Sequence, residues 1–292
     1  MQLIDTHLHL ILRDHLRYAW ADAIPALAGR SFSLADHAAL TAGLGVAAAL
    51  FMETGVDEAD WRAEARLVAG LVGQGGLLGQ IASCRPETDA GFDDWLDECA
   101  GLQVCGLRRI LHVVDDGMSQ TRTFRANLRR IGARGLPFEM CFLARQLPLA
   151  EALARACDDQ PLVLDHCGVP DIAAGAFVPW AEAMQRLAAL PHVHVKLSGL
   201  TAYARPDQHH TAALAPWVAH VLHCFGPGRM LWGGDWPVVE TGAGLPRWIG
   251  LTRELLAGLS DDERAAIGWR NALRLYRLPI GSGALPGPDD KT

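Results

Sequence analysis

What this chain lacks narrows its function first. It has no run of Lys or Arg, and its net charge is −7. Nucleic acid is therefore not expected as a partner, since phosphate binding draws on a basic patch. Long apolar runs are missing as well. Stretches such as GVAAALFM, Gly45 to Met52, stop well short of the roughly 18 to 20 residues that cross a bilayer. The first residues hold Asp5, His7 and His9 where an export signal needs a basic segment and then an apolar one. Cysteine pairing has no support either. The seven cysteines are odd in number and scattered, with no CxxC, as suits reduced thiols in the core of a cytoplasmic protein.

What is present suits one sizeable globular core. Half of the 292 residues are hydrophobic and a fifth are charged, the balance of a water-soluble protein. Short apolar runs predict strands over 2–7, 45–51, 77–83, 104–111, 137–142, 161–166, 192–198 and 229–235. Helical patterns lie between them at Glu58 to Gly73, Thr121 to Arg134, Leu147 to Asp158, Pro179 to Leu190 and Thr211 to Cys224. Strict alternation means a parallel sheet covered by its crossover helices. Eight such units in one chain of this length predict an α/β fold, a single (β/α)8 barrel over 1–280. An open doubly wound sheet would want a Gly-rich turn after the first strand, and THLHLILRD has no glycine. A last helix, Asp261 to Tyr276, is expected across the barrel exterior, and 281–292 reads as a frayed tail rich in Gly, Pro and charge.

Barrels of this kind keep their chemistry at the C-terminal mouth, so polar residues at strand ends are the ones to inspect. His7 and His9 stand two apart at the end of strand one, and share a face. Glu53 ends strand two. Arg108 and His112 stand four apart on strand four. Asp165 and His166 end strand six, Lys196 and Ser198 strand seven, Asp235 and Trp236 strand eight. Each alone has an ordinary explanation. Glu53 and Arg108 can pair at the rim, Lys196 can neutralise a nearby carboxylate, and Trp236 can simply pack. Together they would be costly to desolvate without a purpose.

The pieces IDTHLH (4–9), GLRRIL (106–111), RQLP (145–148), LVLDHCGVP (162–170), VKLSGL (195–200) and GGDWPV (233–238), in this order, resemble the amidohydrolase-2 branch of the metal-dependent amidohydrolase superfamily. More narrowly they resemble the sugar-lactonase group around L-fuconolactonase and L-rhamnonolactonase, with 2-pyrone-4,6-dicarboxylate lactonase further off. The resemblance implies a lactonase. It places His7, His9, His166 and Asp235 at the polar centre, as ligands of one divalent ion or as the polar centre of a metal-free site. Asp235 would act as general base with His166 beside it. Arg108, His112, Glu53, Lys196 and Trp236 would contact a sugar-acid lactone. Zinc suits a His and carboxylate set best. The bridging lysine that many members carry on strand four is absent from GLRRILHV, and PFEMCF on strand five has no histidine, so two metals are not expected. The alternatives are a zinc decarboxylase of an aromatic or muconate-type acid, and a sugar-acid sensor without turnover. A homo-oligomer is compatible with all of these.

Overall fold

The computed structural model describes residues 1–279; the expected tail at 281–292 lies outside them. The strands are β1 Leu3–Leu8, β2 Val46–Met52, β3 Leu77–Ser83, β4 Val104–Ile110, β5 Phe138–Cys141, β6 Leu162–Leu164, β7 Val193–Leu197 and β8 Met230–Trp232. They pair in parallel in chain order. The seam between β8 and β1 is drawn together by Thr6 Oγ1 donating to Trp232 O (2.8 Å), Asp235 N to His7 O (2.9 Å) and His9 N to Trp236 O (2.8 Å). The result is a (β/α)8 barrel.

One helix follows each strand: α1 Leu34–Thr41, α2 Trp61–Ala69, α3 Phe92–Ala100, α4 Arg122–Ala133, α5 Leu147–Ala156, α6 Phe177–Ala188, α7 Thr211–Phe225 and α8 Leu245–Leu255. Local chemistry sets their starts and their buried faces. In α4 the Thr121 hydroxyl accepts from Phe124 N, and Phe124, Leu128 and Ile131 fall on one buried stripe, the spacing of an amphipathic helix. Ser33 and Asp36 cap α1 reciprocally. No helix among the described residues is long and apolar enough to cross a membrane.

Two strands end earlier than the sequence suggests, and for one reason. β6 stops at Leu164 and β8 at Trp232 because the backbone then turns into the left-handed region at His166 (φ 51°) and Asp235 (φ 58°). Such conformations cost energy for non-glycine residues and gather at functional sites. In β1 the pairing with β2 slips between Asp5 and Leu8. This bulge turns the alternation over. Ile4 packs in the barrel floor, and His7, an odd number of positions on, also reaches the interior.

The C-terminal segment corrects one expectation. Asp261–Ala265 has no buried residue, but the π-turn at Ala266–Arg270 and Asn271–Leu275 do not lie across the outside. Trp269, Ala272 and Tyr276 close the floor against Ile4, Leu50, Ile81, Val163 and Leu231. Asn271 Nδ2 anchors the segment on the carbonyls of Pro227 (2.8 Å) and Met230 (2.7 Å). A one-sided apolar pattern reports that a face is buried, and the open bottom of a barrel buries it as well as the outer helix ring does.

Candidate active site

Three imidazoles and a carboxylate meet at the mouth. His7 and His9 come from β1, His166 from the turn after β6, and Asp235 from the turn after β8. The His7 ring lies 4.8 Å from that of His9 and 4.4 Å from that of His166, centre to centre. Asp235 Oδ1 stands 3.9 Å from His7 Nε2 and 3.6 Å from His9 Nε2, and Oδ2 stands 3.9 Å from His166 Nδ1. Glycine makes this approach feasible. A Cβ on Gly199 (φ +69°) would sit 2.7 Å from His166 Nδ1 and 3.0 Å from Asp235 Oδ2.

The tautomers follow from the partners. His9 Nδ1 faces Met52 O at 3.0 Å; a carbonyl only accepts, so Nδ1 carries the proton and Nε2 is bare. His7 Nδ1 faces Asp165 Oδ1 at 3.4 Å, and Arg108 Nη1 stands 3.3 Å from His7 Nε2. Again the outer nitrogen is the one without a proton, here accepting from Arg108. Burial lowers all three imidazoles, His9 to about 4, so they are neutral. Burial pushes the Asp235 carboxyl up to about 6, against the pull of His166. Its Oδ2 is buried and has no hydrogen-bond partner.

These donors fit a divalent cation. His9 Nε2 is bare, Asp235 Oδ2 is unpartnered, and ligand atoms of His7, His166 and Asp235 all lie within 4.8 Å of one another. Arg108 shares the His7 lone pair and would have to yield it.

A cavity of about 400 Å³ opens above the cluster, and His9, Glu53, Arg108, His112, His166 and Asp235 reach it. Three expected substrate contacts are placed differently. Arg108 is committed within the protein: Nε donates to Glu53 Oε1 (2.8 Å), Nη2 to Glu53 O (2.6 Å), and Nη1 faces Asp165 Oδ2 (3.3 Å). Lys196 lies wholly buried beneath the cavity, ion-paired with Glu139 at 3.0 Å. Trp236 is turned away, packed on Phe32 and His37; only its carbonyl serves the site, on His9 N. An aromatic beside a strand-end aspartate is inward or outward according to a turn that spacing does not reveal. His112 sits past the end of β4, its Nδ1 3.3 Å from Cys141 Sγ.

Other residues belong here that the sequence left unmarked. Asp5 accepts from His7 N (3.0 Å) and Gly234 N (2.7 Å) and faces His37 Nε2 at 3.1 Å, so one carboxylate ties β1 to the turn bearing Asp235. Trp20 and Trp61 wall the cavity with Arg85 and Arg109. Trp20, Trp61 and Arg85 follow strands one to three and Arg109 stands near the end of β4, so position alone could have marked them.

The family model for amidohydrolases matches residues 4–278. The chain belongs to the amidohydrolase family. Among proteins similar to this amidohydrolase, the L-fucono-1,5-lactonase of Burkholderia multivorans is 30% identical over 94% of the chain and 96% of its own length. The L-fucono-1,5-lactonase of Burkholderia ambifaria is 33% identical, but the match spans 61% of this chain and 63% of that one. A solved amidohydrolase of Burkholderia multivorans, with bound zinc, superposes with a TM-score of 0.86 at 25% identity, over 96% of this chain and all of that one.

Proposed function

We propose that this amidohydrolase opens the ring of a sugar-acid lactone, an aldono-1,4- or 1,5-lactone, by attack of an activated water. The observation that carries the reading is Asp235: a buried carboxylate raised to about 6, one oxygen unpartnered, among neutral imidazoles under an open cavity. The two L-fucono-1,5-lactonases support the substrate class.

Asp235 takes the proton of the attacking water and returns it to the ring oxygen as the acyl bond breaks. His166 stands beside it, its Nδ1 oriented by Ser198 Oγ at 2.9 Å. A divalent ion, zinc by donor chemistry, would be held by His7, His9, His166 and Asp235 and would polarise the carbonyl. His7 and His9 present lone pairs, not N–H groups, towards Asp235, which speaks against their donating to the oxyanion in a metal-free site.

The walls favour a neutral ring over an acid. Each arginine lining the cavity is already matched: Arg85 to Glu58 (2.8 Å), Arg108 to Glu53 (2.8 Å) and Arg109 to Glu87 (2.7 Å). A decarboxylase must seat a carboxylate, and no unmatched cation lines this cavity among the described residues. The Trp20 indole, held by its Nε1 on Thr54 O at 2.9 Å, lines the cavity as a surface for a sugar ring. His112 and Glu53 are the hydroxyl contacts in this reading. The seven free thiols fit action in the cytoplasm. The test is proton release across a panel of aldonolactones, with and without chelator. Lactone opening releases a proton and decarboxylation consumes one; release with none of the lactones would overturn the proposal.

A further inference from the structure

Between the apolar floor and the histidines lies a charged layer that the proposed reaction does not use. Glu139 from β5 and Lys196 from β7 are fully buried, as is Asp165 beside them. The Tyr276 hydroxyl, from the segment that closes the floor, donates to Glu139 Oε1. Glu139 Oε2 holds Lys196 Nζ at 3.0 Å. Lys196 Nζ donates to Thr6 O (2.9 Å) and stands 3.5 Å from His7 Nδ1 and 3.8 Å from Asp165 Oδ1. The line runs unbroken from the C-terminal segment to the first histidine.

Stability does not explain this layer. Replacing a buried ion pair with apolar groups of similar volume is often neutral or stabilising, and the floor just below is built that way from Ile4, Leu50, Ile81, Val163 and Leu231. Geometry does explain it. Lys196 Nζ serves two carboxylates at once, Glu139 Oε2 at 3.0 Å and Asp165 Oδ1 at 3.8 Å. By holding Thr6 O it fixes the backbone next to His7. Its charge, 3.8 Å from Asp165 Oδ1, favours an ionised acceptor 3.4 Å from His7 Nδ1, while the unprotonated Nε2 faces Arg108 Nη1 at 3.3 Å.

We infer that Tyr276 is a positioning residue for the active site, acting through Glu139 and Lys196 to set the orientation and tautomer of His7. The inference rests on the histidine cluster being the reacting centre, not on the identity of the ring opened there. Tyr276→Phe deletes a single oxygen and keeps the ring in the floor. Glu139→Gln interrupts the line one step further on. Leu50→Ala is the control, since it loosens the same floor away from the line.

The full-length chain, freed of metal by chelation, is labelled with 15N at histidine and its ring signals recorded. The expected result is a His7 signal of the Nδ1-protonated form in the parent and in Leu50→Ala. In Tyr276→Phe and Glu139→Gln it moves towards mixed tautomers. On any lactone the enzyme opens, Tyr276→Phe should lower kcat by about tenfold with KM unchanged, the mark of a misplaced reacting group. A His7 signal that stays put in Tyr276→Phe overturns the inference, as does one that moves equally in Leu50→Ala. If Glu139→Gln does not fold, Tyr276→Phe decides alone. If no lactone is turned over, the lactonase reading fails and the histidine signal still decides this one.

Discussion

Asp235→Asn keeps the size of the side chain and removes its ability to take a proton. If the carboxylate is the base, kcat falls about a hundredfold or more while the melting temperature holds. A folded variant with near-normal kcat would remove Asp235 from that role. The pH profile adds a second check. A base works ionised, so activity falls as pH drops through its pKa, which burial sets at about 6 with no cation bound. A ligated cation favours the carboxylate, and adding metal should move the acid limb to lower pH. Arg108 shows the limit of reading residues singly. Its place on strand four was legible, and pairing with Glu53 at the rim was one of two readings the sequence left open; spacing could not decide between that pair and a substrate contact, and the geometry does. With its donors spent on Glu53 and Asp165, Arg108→Lys should destabilise by about 1.5 to 3 kcal/mol per lost charged hydrogen bond. KM should change little; a raised KM at unchanged stability would return Arg108 to the substrate.

The eight strands were legible because parallel strands buried on both faces read as apolar runs, and their observed bounds differ from the expected ones mainly where turns bring His166 and Asp235 inward. Those turns use left-handed backbone that no hydrophobic pattern encodes. The C-terminal helix was legible as a helix and misplaced, because periodicity names a buried face and not its neighbour. The turn after β7 can be tested directly. Gly199→Ala and Gly175→Ala carry the same backbone penalty, since both glycines have φ +69°. Only at 199 does the new methyl meet His166 and Asp235; at 175 nothing lies within 4 Å. Gly175→Ala should therefore lose a little stability and no activity. Gly199→Ala should lose about tenfold or more in kcat, by displacement of reacting groups, and bind Zn2+ more weakly in a titration. Equal effects of the two variants would separate this turn from the site.

Across the whole molecule the buried histidines make stability depend on acid. Their folded pKa values lie below the ordinary 6.5, His9 at about 4, so between those values the unfolded chain binds protons that the folded one refuses. Stability is present above about pH 6.5 and drains as pH falls towards about 4. The carboxyls that burial raises, Asp235, Glu139 and Glu64, work the other way, but with His112 and His194 also lowered they are three groups against five. Thermal melts of the metal-stripped protein from pH 7 to 4 should show a falling midpoint, and metal should steepen the fall by holding the neutral imidazoles at high pH. A midpoint that does not change with acid would contradict the neutral assignment.

The seam between β8 and β1 has a consequence in time. The histidines of β1 are made before any other strand of the barrel, and Asp235 arrives only after all eight. Until Thr6 meets Trp232 and His7 O receives Asp235 N, the two halves of the reacting centre stand on opposite ends of an unfinished sheet. Pairings between residues so far apart in the chain form late and slowly. A nascent or truncated product lacking the last strand cannot bring Asp235 to these histidines. Turnover begins with the closing of the ring.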